Sequence, residues 1–553
     1  MHREAFSLTR TPPFSALYID SFSDLESDMI DPISIAGLAL AVPGVLDLCL
    51  KYGEEIIAIC RNQSSLNDEL DGMIITYNGL LLKTDVQLKS LKVLWNALPA
   101  ALQQHYCDAL ERLGSKELAA WESLKALENT AGWSENPRNT LDRLRGETRR
   151  FHMRKHIKQA VDDLEDWQAK FDPSWYLITR IASPTVDQKL QDAPLSDASR
   201  RLAQMREASG SLSVPNTQGG QSIFRDATII QENAEQISYS NSFISYYTNQ
   251  PDHAVLLDRT NYPVDTPRER VKPYVRNLAR RLHNVDPMTF GLLKCDGVIE
   301  VSEVEDGTAT TQFQFIFDVP AGLSLPPASL RHLLRARPQY PLNQRIQLAQ
   351  QLARSVMFVH TADFVHKSIR PETIIIFHEE SRLGPSFLAG FERIRPADAP
   401  TDHYGDSEWE KNIYRHPTRQ GLFPEELYKM QHDVYSLGVC LLEIGLWCSF
   451  VCEDDNGRSV PWDQLDILKA LADKDPRRGA FAIKRALIAL AKERLPCIVG
   501  ERYTQLTTAC LTCLDKGEEN VFGNQADLED EDGIIVGVRY IERILLQIED
   551  ISI

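Results

Sequence analysis

Between residues 182 and 222 the chain turns to Ser, Pro, Gln and Gly, closing on Ser-Gly-Ser-Leu-Ser-Val-Pro-Asn-Thr-Gln-Gly-Gly. Such a stretch is a flexible-linker signature, and a domain boundary is expected there. Upstream, apolar residues recur at helical spacing. They run Leu66, Leu70, Met73, Ile74, Tyr77, Leu80 and Leu81, then Leu110, Leu113, Leu118, Trp121, Leu124 and Leu127, then Leu141, Leu144, Phe151, Val161, Leu164, Trp167 and Phe171. Polar joints around Pro99 and over 132–137 separate these runs, which predicts antiparallel helices in a bundle. Downstream, β-prone runs at 254–257, 298–304 and 312–319 surround a helical stretch over 267–283, and long helices dominate from Asn343 onward. The predicted organisation is a leader over 1–30, an all-α helical bundle over 31–181, the linker over 182–222, and a mixed α+β region of two lobes over 223–553. The small lobe of that region is expected to end near residue 320, and the amphipathic run from Val536 to Ile548 to pack back on the large lobe.

The most apolar segment runs from Ile33 to Leu46. As a helix it rises about 21 Å, short of a hydrocarbon core about 30 Å thick, and Pro43 and Gly44 interrupt it. A buried first helix is the expectation. Should it leave the bundle, Ile33, Ile35, Leu38, Leu40, Val42 and Leu46 are the residues that would meet lipid. Translation starting at Met29 would put that helix at the terminus of the product. Further on, Arg138, Arg143, Arg145, Arg149, Arg150, Arg154, Lys155 and Lys158 crowd onto one helix, a density able to draw anionic headgroups. Arg149, Arg150, Arg154 and Lys155 are its candidate membrane contacts. The chain as a whole is acidic, with 60 Lys and Arg against 78 Asp and Glu, which argues against nucleic acid as a partner. Ten scattered cysteines, and Asp20, Asp24, Glu26 and Asp28 where a secretory leader would be basic, predict reduced thiols and a cytoplasmic location. Cys510 and Cys513 have metal-like spacing, but no second pair completes four ligands, so no metal is assigned.

The opening Asp31-Pro-Ile-Ser-Ile-Ala-Gly-Leu-Ala-Leu, the long amphipathic helices after it, and the basic-then-acidic stretch from Arg149 to Asp166 resemble the HeLo domain of fungal heterokaryon-incompatibility proteins, the prion-inhibition and propagation family. The resemblance covers roughly residues 31–180. It implies an all-helical domain that, when released or oligomerised, delivers its first helix to a membrane and kills the cell.

In the second half, Phe364-Val-His-Lys-Ser-Ile-Arg-Pro-Glu-Thr-Ile-Ile-Ile376 resembles the protein-kinase catalytic loop in order and spacing. His432-Asp-Val-Tyr-Ser-Leu-Gly-Val439 is similar to the helix that opens on a structural aspartate, and Tyr414-Arg-His-Pro417 stands where the activation segment ends. The resemblance implies a two-lobed protein-kinase-like fold. Phosphoryl transfer needs a carboxylate at the substrate hydroxyl, metal-holding Asn and Asp side chains, and a lysine on the phosphates. Here Ser368 stands for the catalytic aspartate, Thr373 for the metal-binding asparagine, and Gly390, before Phe391, for the metal-binding aspartate; Glu392 lies out of step. No glycine-rich loop occurs, Arg259 or Thr260 stands where the lysine is expected, and Glu269 lies at the very start of the following helix. His366, Pro371 and Asp433 are kept, and Arg370 takes the loop's lysine position, where it either meets a phosphate or braces the loop. Losing a general base alone costs about 10²–10⁴ in rate. The expectation is therefore a pseudokinase with no cofactor, nucleotide binding being disfavoured. Joined to a HeLo-like bundle, it reads as a signalling protein of regulated cell death or incompatibility. Its partners would be another signalling protein, itself through the bundle, or anionic membrane. The alternatives are an atypical kinase using Glu392 and Arg370, and a scaffold that never touches membrane.

Overall fold

The computed structural model describes residues 51–59, 68–129, 140–181, 183–192, 202, 206, 222–260, 268–305, 308–362, 364–379, 382–391, 395–396, 407–422, 424–517, 520–523 and 534–551. The leader, the apolar run from Ile33 to Leu46, the joint over 132–137 and most of the linker lie outside them.

The upstream region is helical throughout: α1 over 51–59, α2 at Asp68–Leu94, α3 at Ala100–Asn129, α4 at Thr140–Tyr176 and α5 at Pro184–Asp192. The sequence itself ends α2. Pro99 disfavours helical backbone at the residue before it, and Leu98 accordingly sits at φ −86°, ψ 142° after a single 3₁₀ turn. Much of the apolar spacing of three and four on α2, α3 and α4 faces inward, Phe151 being the exception at 67% exposed. Leu91, Leu94, Leu102, Leu124 and Trp175 are fully buried, Trp167 stacks on Phe171 at 4.7 Å, and the buried Tyr106 hydroxyl donates to the Ser174 carbonyl at 2.9 Å. At about 25 cal/mol per Å² of apolar surface, this packing rather than helix propensity holds the bundle together.

Downstream, six strands form one sheet in the order β1-β5-β6-β4-β3-β2. They are β1 (Phe224–Arg225), β2 (Glu235–Gln236), β3 (Ser242–Tyr247), β4 (Gln250–Arg259), β5 (Lys294–Glu305) and β6 (Thr308–Asp318). All pairs are antiparallel except β1 with β5, where the chain leaving the linker adds a short parallel edge. Helix α6 (Arg268–His283) packs Val271, Val275, Leu278 and Leu282 against this sheet. The large lobe holds α7 (Leu330–Ala336), α8 (Leu342–Thr361), α9 (Met430–Leu446), α10 (Pro476–Val499) and α11 (Glu501–Thr512). A small three-stranded sheet lies at its top, in the order β10-β9-β7, built from β7 (Ala328–Ser329), β9 (Ile374–Ile376) and β10 (Ser386–Leu388). Between them in the chain, β8 (Phe364–Val365) leads into the catalytic-loop segment. α9 is buried along nearly its whole length, its polar side chains Asp433 and Glu443 included.

The two regions share one apolar core. Tyr176 at the end of α4 sits edge-on to Phe290 and Phe358 at 4.8 and 5.3 Å. Just beyond it, Thr179 Oγ1 donates to the Thr361 carbonyl at 2.7 Å and Arg180 Nη1 to the His360 carbonyl at 2.6 Å. The C-terminal segment, α12 (Ile534–Tyr540), a π turn (Ile541–Leu545) and α13 (Leu546–Glu549), packs on the large lobe as expected and also reaches the bundle. Among the described residues no helix is long and apolar enough to cross a membrane.

Candidate functional site

The catalytic-loop segment lies under β4, and Asp433 in the first turn of α9 organises it. This wholly buried carboxylate accepts the N–H groups of His366 and Lys367 at 2.7 and 2.9 Å, the Tyr428 hydroxyl at 2.6 Å and His360 Nε2 at 3.0 Å. The clamp holds Lys367 at φ +65°, a region costly for any residue but glycine. Burial by itself would raise the pKa of Asp433, yet the bond and charge of His360, with His366 and Tyr428, hold it below the ordinary value. Burial pushes the pKa of His360 down, while its contact with Asp433 pulls the other way.

The residues at the reactive positions are tied to one another. Ser368, nearly buried, accepts a hydrogen bond from the guanidinium of Arg370, which is itself buried and has Nε 3.7 Å from Glu372. Glu372 also pairs with Arg331 at 2.9 Å. Arg370 thus faces inward as a brace. Thr373 Oγ1 lies 2.8 Å from the Ser368 carbonyl and 2.9 Å from that of Arg370. Gly390 has φ +80°, and a Cβ built there would stand 2.2 Å from Cγ2 of Thr373. The two positions that hold metal in the kinase pattern are therefore filled against each other. His366 Nε2 meets the Ala389 carbonyl at 3.0 Å, and the ring of Phe391 lies 5.1 Å from His366 and 5.9 Å from Phe317. Glu392 lies outside the described residues.

At the lysine position the structure differs from the expectation. In a strand, successive side chains alternate between faces. Val255 and Leu257 face one apolar cluster with Ile230, Ile299 and Ile316, while Leu256 faces the main core. By the same alternation Arg259 lies on the far face, exposed, with its guanidinium 4.5 Å from the ring of Phe243. Thr260 is buried and donates to the Phe313 carbonyl at 3.0 Å. The side chain that reaches the loop is Asp258, 1% exposed. Its Oδ2 accepts the N–H groups of both Gly390 and Phe391 at 2.9 Å, and its Oδ1 lies 3.3 Å from Ser242 Oγ. Where the pattern calls for a cation there is an anion. Glu269 is exposed at the start of α6.

The turn at the glycine-rich-loop position is also altered. β2 and β3 are joined by Ile237-Ser-Tyr-Ser-Asn241, with Tyr239 at φ +59°. The Ser238 carbonyl accepts the hydroxyl of Ser329 at 2.5 Å, and the Arg335 guanidinium lies 4.7 Å from the Tyr239 ring. The turn is stitched to the large lobe rather than left free to cover a ligand. Of the candidate membrane residues, Arg154 is half-buried on α4 and Lys155 is exposed; Arg149 and Arg150 lie on α4 with side chains outside the described residues. Ile33, Ile35, Leu38, Leu40, Val42 and Leu46 lie outside them altogether. Cys510 and Cys513 are both buried, and burial pushes the Cys513 thiol up to about 12.

A serine/threonine-protein kinase-like protein of Arabidopsis thaliana is 37% identical to this chain over 106 residues. The second region is kinase-like. The match takes in 18% of this chain and 27% of that protein, so the chain spans about a quarter of the relative's length. No family model matches. A chain of the yeast RNA Pol II CTD kinase complex aligns at a TM-score of 0.29 and 16% identity, over 54% of this chain and 90% of that one, a score too low to argue from.

Proposed function

We propose that the kinase-like region transfers no phosphate and serves as a signalling module that holds the helical bundle. The observation that carries this is Asp258. Its carboxylate lies where the kinase pattern has a lysine and is engaged by the backbone of Gly390 and Phe391, so the strand offers no cation there to nucleotide phosphates. Ser368, Thr373 and Gly390 offer neither a general base nor a metal ligand at their positions. A thermal shift with ATP and Mg²⁺, run beside a radiolabelled phosphate-transfer assay, is the test. No shift and no transfer are expected; transfer lost on changing Arg370 or Glu392 would establish the atypical-kinase reading instead.

For the bundle we propose engagement of anionic membrane, in keeping with the HeLo resemblance and a role in regulated cell death or incompatibility. Phe151 supports it: the ring is 67% exposed on α4, with Lys155 and Lys158 exposed beyond it, an aromatic among cations as at an interfacial helix. The full chain should sediment with phosphatidylserine vesicles and not with phosphatidylcholine. Phe151→Ala combined with Lys155→Glu should abolish this, and equal binding to both lipids would refute it.

A further inference from the structure

The C-terminal segment touches the lobe and the bundle in unequal ways. Toward the lobe its contacts are deep. The Tyr540 hydroxyl donates to the Ala353 carbonyl at 2.9 Å, Gln350 Nε2 donates to the carbonyls of Ile548 and Ile551 at 3.1 and 3.4 Å, and Arg354 grips Glu549 through two bonds of 2.6 and 2.7 Å. The side chains of Tyr540, Ile541, Ile544 and Ile548 are fully buried. Toward the bundle the clasp's own polar groups are more open to solvent. Asp550, 46% exposed, pairs with Lys170, and Glu542, 30% exposed, faces His105 at 3.4 Å. Between them Gly537 lets Leu177 approach so closely that a Cβ would stand 2.6 Å from its Cδ2.

We infer that residues 534–551 are a clasp fixed to the lobe and detachable from the bundle, and that the bundle pivots about residues 176–181 when the clasp lets go. Tyr176, Thr179 and Arg180 bind the lobe directly and stay put, while the flanks of α3 and α4 are held through Glu542 and Asp550. The Lys170–Asp550 pair is open to solvent on the clasp side, and such pairs shift an open-to-closed ratio by only about two- to fivefold, less in salt. The bundle face of the clasp therefore parts before the lobe face. The inference does not depend on whether the cleft is catalytic.

The test uses the full chain carrying a donor and acceptor fluorophore on orthogonal amino acids at Glu122 in the bundle and Lys474 in the lobe, both exposed. Asp550→Lys should raise the population of separated molecules about two- to fivefold, and 0.5 M salt should do the same to the unaltered chain. Lys170→Asp added to Asp550→Lys should restore the closed distance. Glu542→Lys, which removes the contact with His105, should open the bundle while amide exchange in α9 stays unchanged. An unchanged distance in both Asp550→Lys and Glu542→Lys overturns the inference, as does loss of α9 protection together with opening.

Discussion

Replacing Asp258 by alanine leaves the N–H groups of Gly390 and Phe391 without the acceptor that both now use. Each bond joins a carboxylate to a backbone donor at 2.9 Å in a site closed to water. Hydrogen bonds to charged groups are worth about 1.5–3 kcal/mol, and an orphaned buried donor keeps its full desolvation cost. The two bonds share one oxygen, so their losses add incompletely, and about 3–4 kcal/mol is expected. That is a large share of the 5–15 kcal/mol or so by which a domain is stable. Asparagine keeps an oxygen in the same place and should cost about 1–2 kcal/mol. Amide exchange of the 386–391 segment reads the effect where it arises. Opening should quicken about 100-fold or more in Asp258→Ala, since 1.4 kcal/mol is a factor of ten, and about tenfold in Asp258→Asn. If the alanine variant exchanges within about threefold of the unaltered protein, the carboxylate is not what holds the loop to the small lobe.

Gly390→Asp, the change that would seem to return a metal ligand, should instead destabilise the lobe by about 2 kcal/mol or more, because it forces a side chain onto Thr373 at positive φ. Urea midpoints with and without Mg²⁺ check this, and a Mg²⁺-dependent gain in stability would contradict it. Tyr176→Ala should cost about 3–5 kcal/mol by emptying the site between Phe290 and Phe358, measured as a lowered midpoint. Burial pushes Glu443 up to about 7 from its ordinary 4.5, with Arg331 beside it pulling the other way. Between those pH values the folded state therefore holds more protons than the unfolded one, and this group's contribution to stability falls as pH rises from about 4.5 to about 7. Glu443→Gln should remove that decline. His416, driven down to about 2 by burial and by Lys484, acts in the opposite direction below pH 6.5 and should be unaltered in the variant. Urea midpoints of the two proteins at pH 5 and pH 7.5 decide it, and parallel pH dependences would be the adverse result.

Spacing alone was enough to place the bundle helices, because α2, α3 and α4 each bury one face, and a one-faced helix writes its period into the chain. The catalytic-loop segment was equally readable, its order fixed by backbone bonds to Asp433 that any sequence on this scaffold must make. Asp258 was missed for a physical reason. β4 is apolar on both faces, so Val255, Leu256 and Leu257 show no alternation from which to tell which of Asp258, Arg259 and Thr260 turns toward the loop. Counting alternate positions back from Arg259 would have offered it as a candidate. Nothing in the sequence could have named His360 or Arg180, whose roles come from elements that meet only in the folded chain. The same holds for Gly537, one glycine among 28 until Leu177 is seen against it.

The fit of Gly390 against the methyl of Thr373 bears on which sequences are reachable from this one. With threonine at 373, any side chain at 390 meets an obstacle at 2.2 Å, so the aspartate cannot come back first. Asparagine at 373 would first have to give up the hydroxyl that spans the carbonyls of Ser368 and Arg370, loosening the loop before anything is gained. Either first step passes through a less stable protein. Each of the two positions is thus a reason the other resists single substitution, and any route to a different pair of residues here must change both.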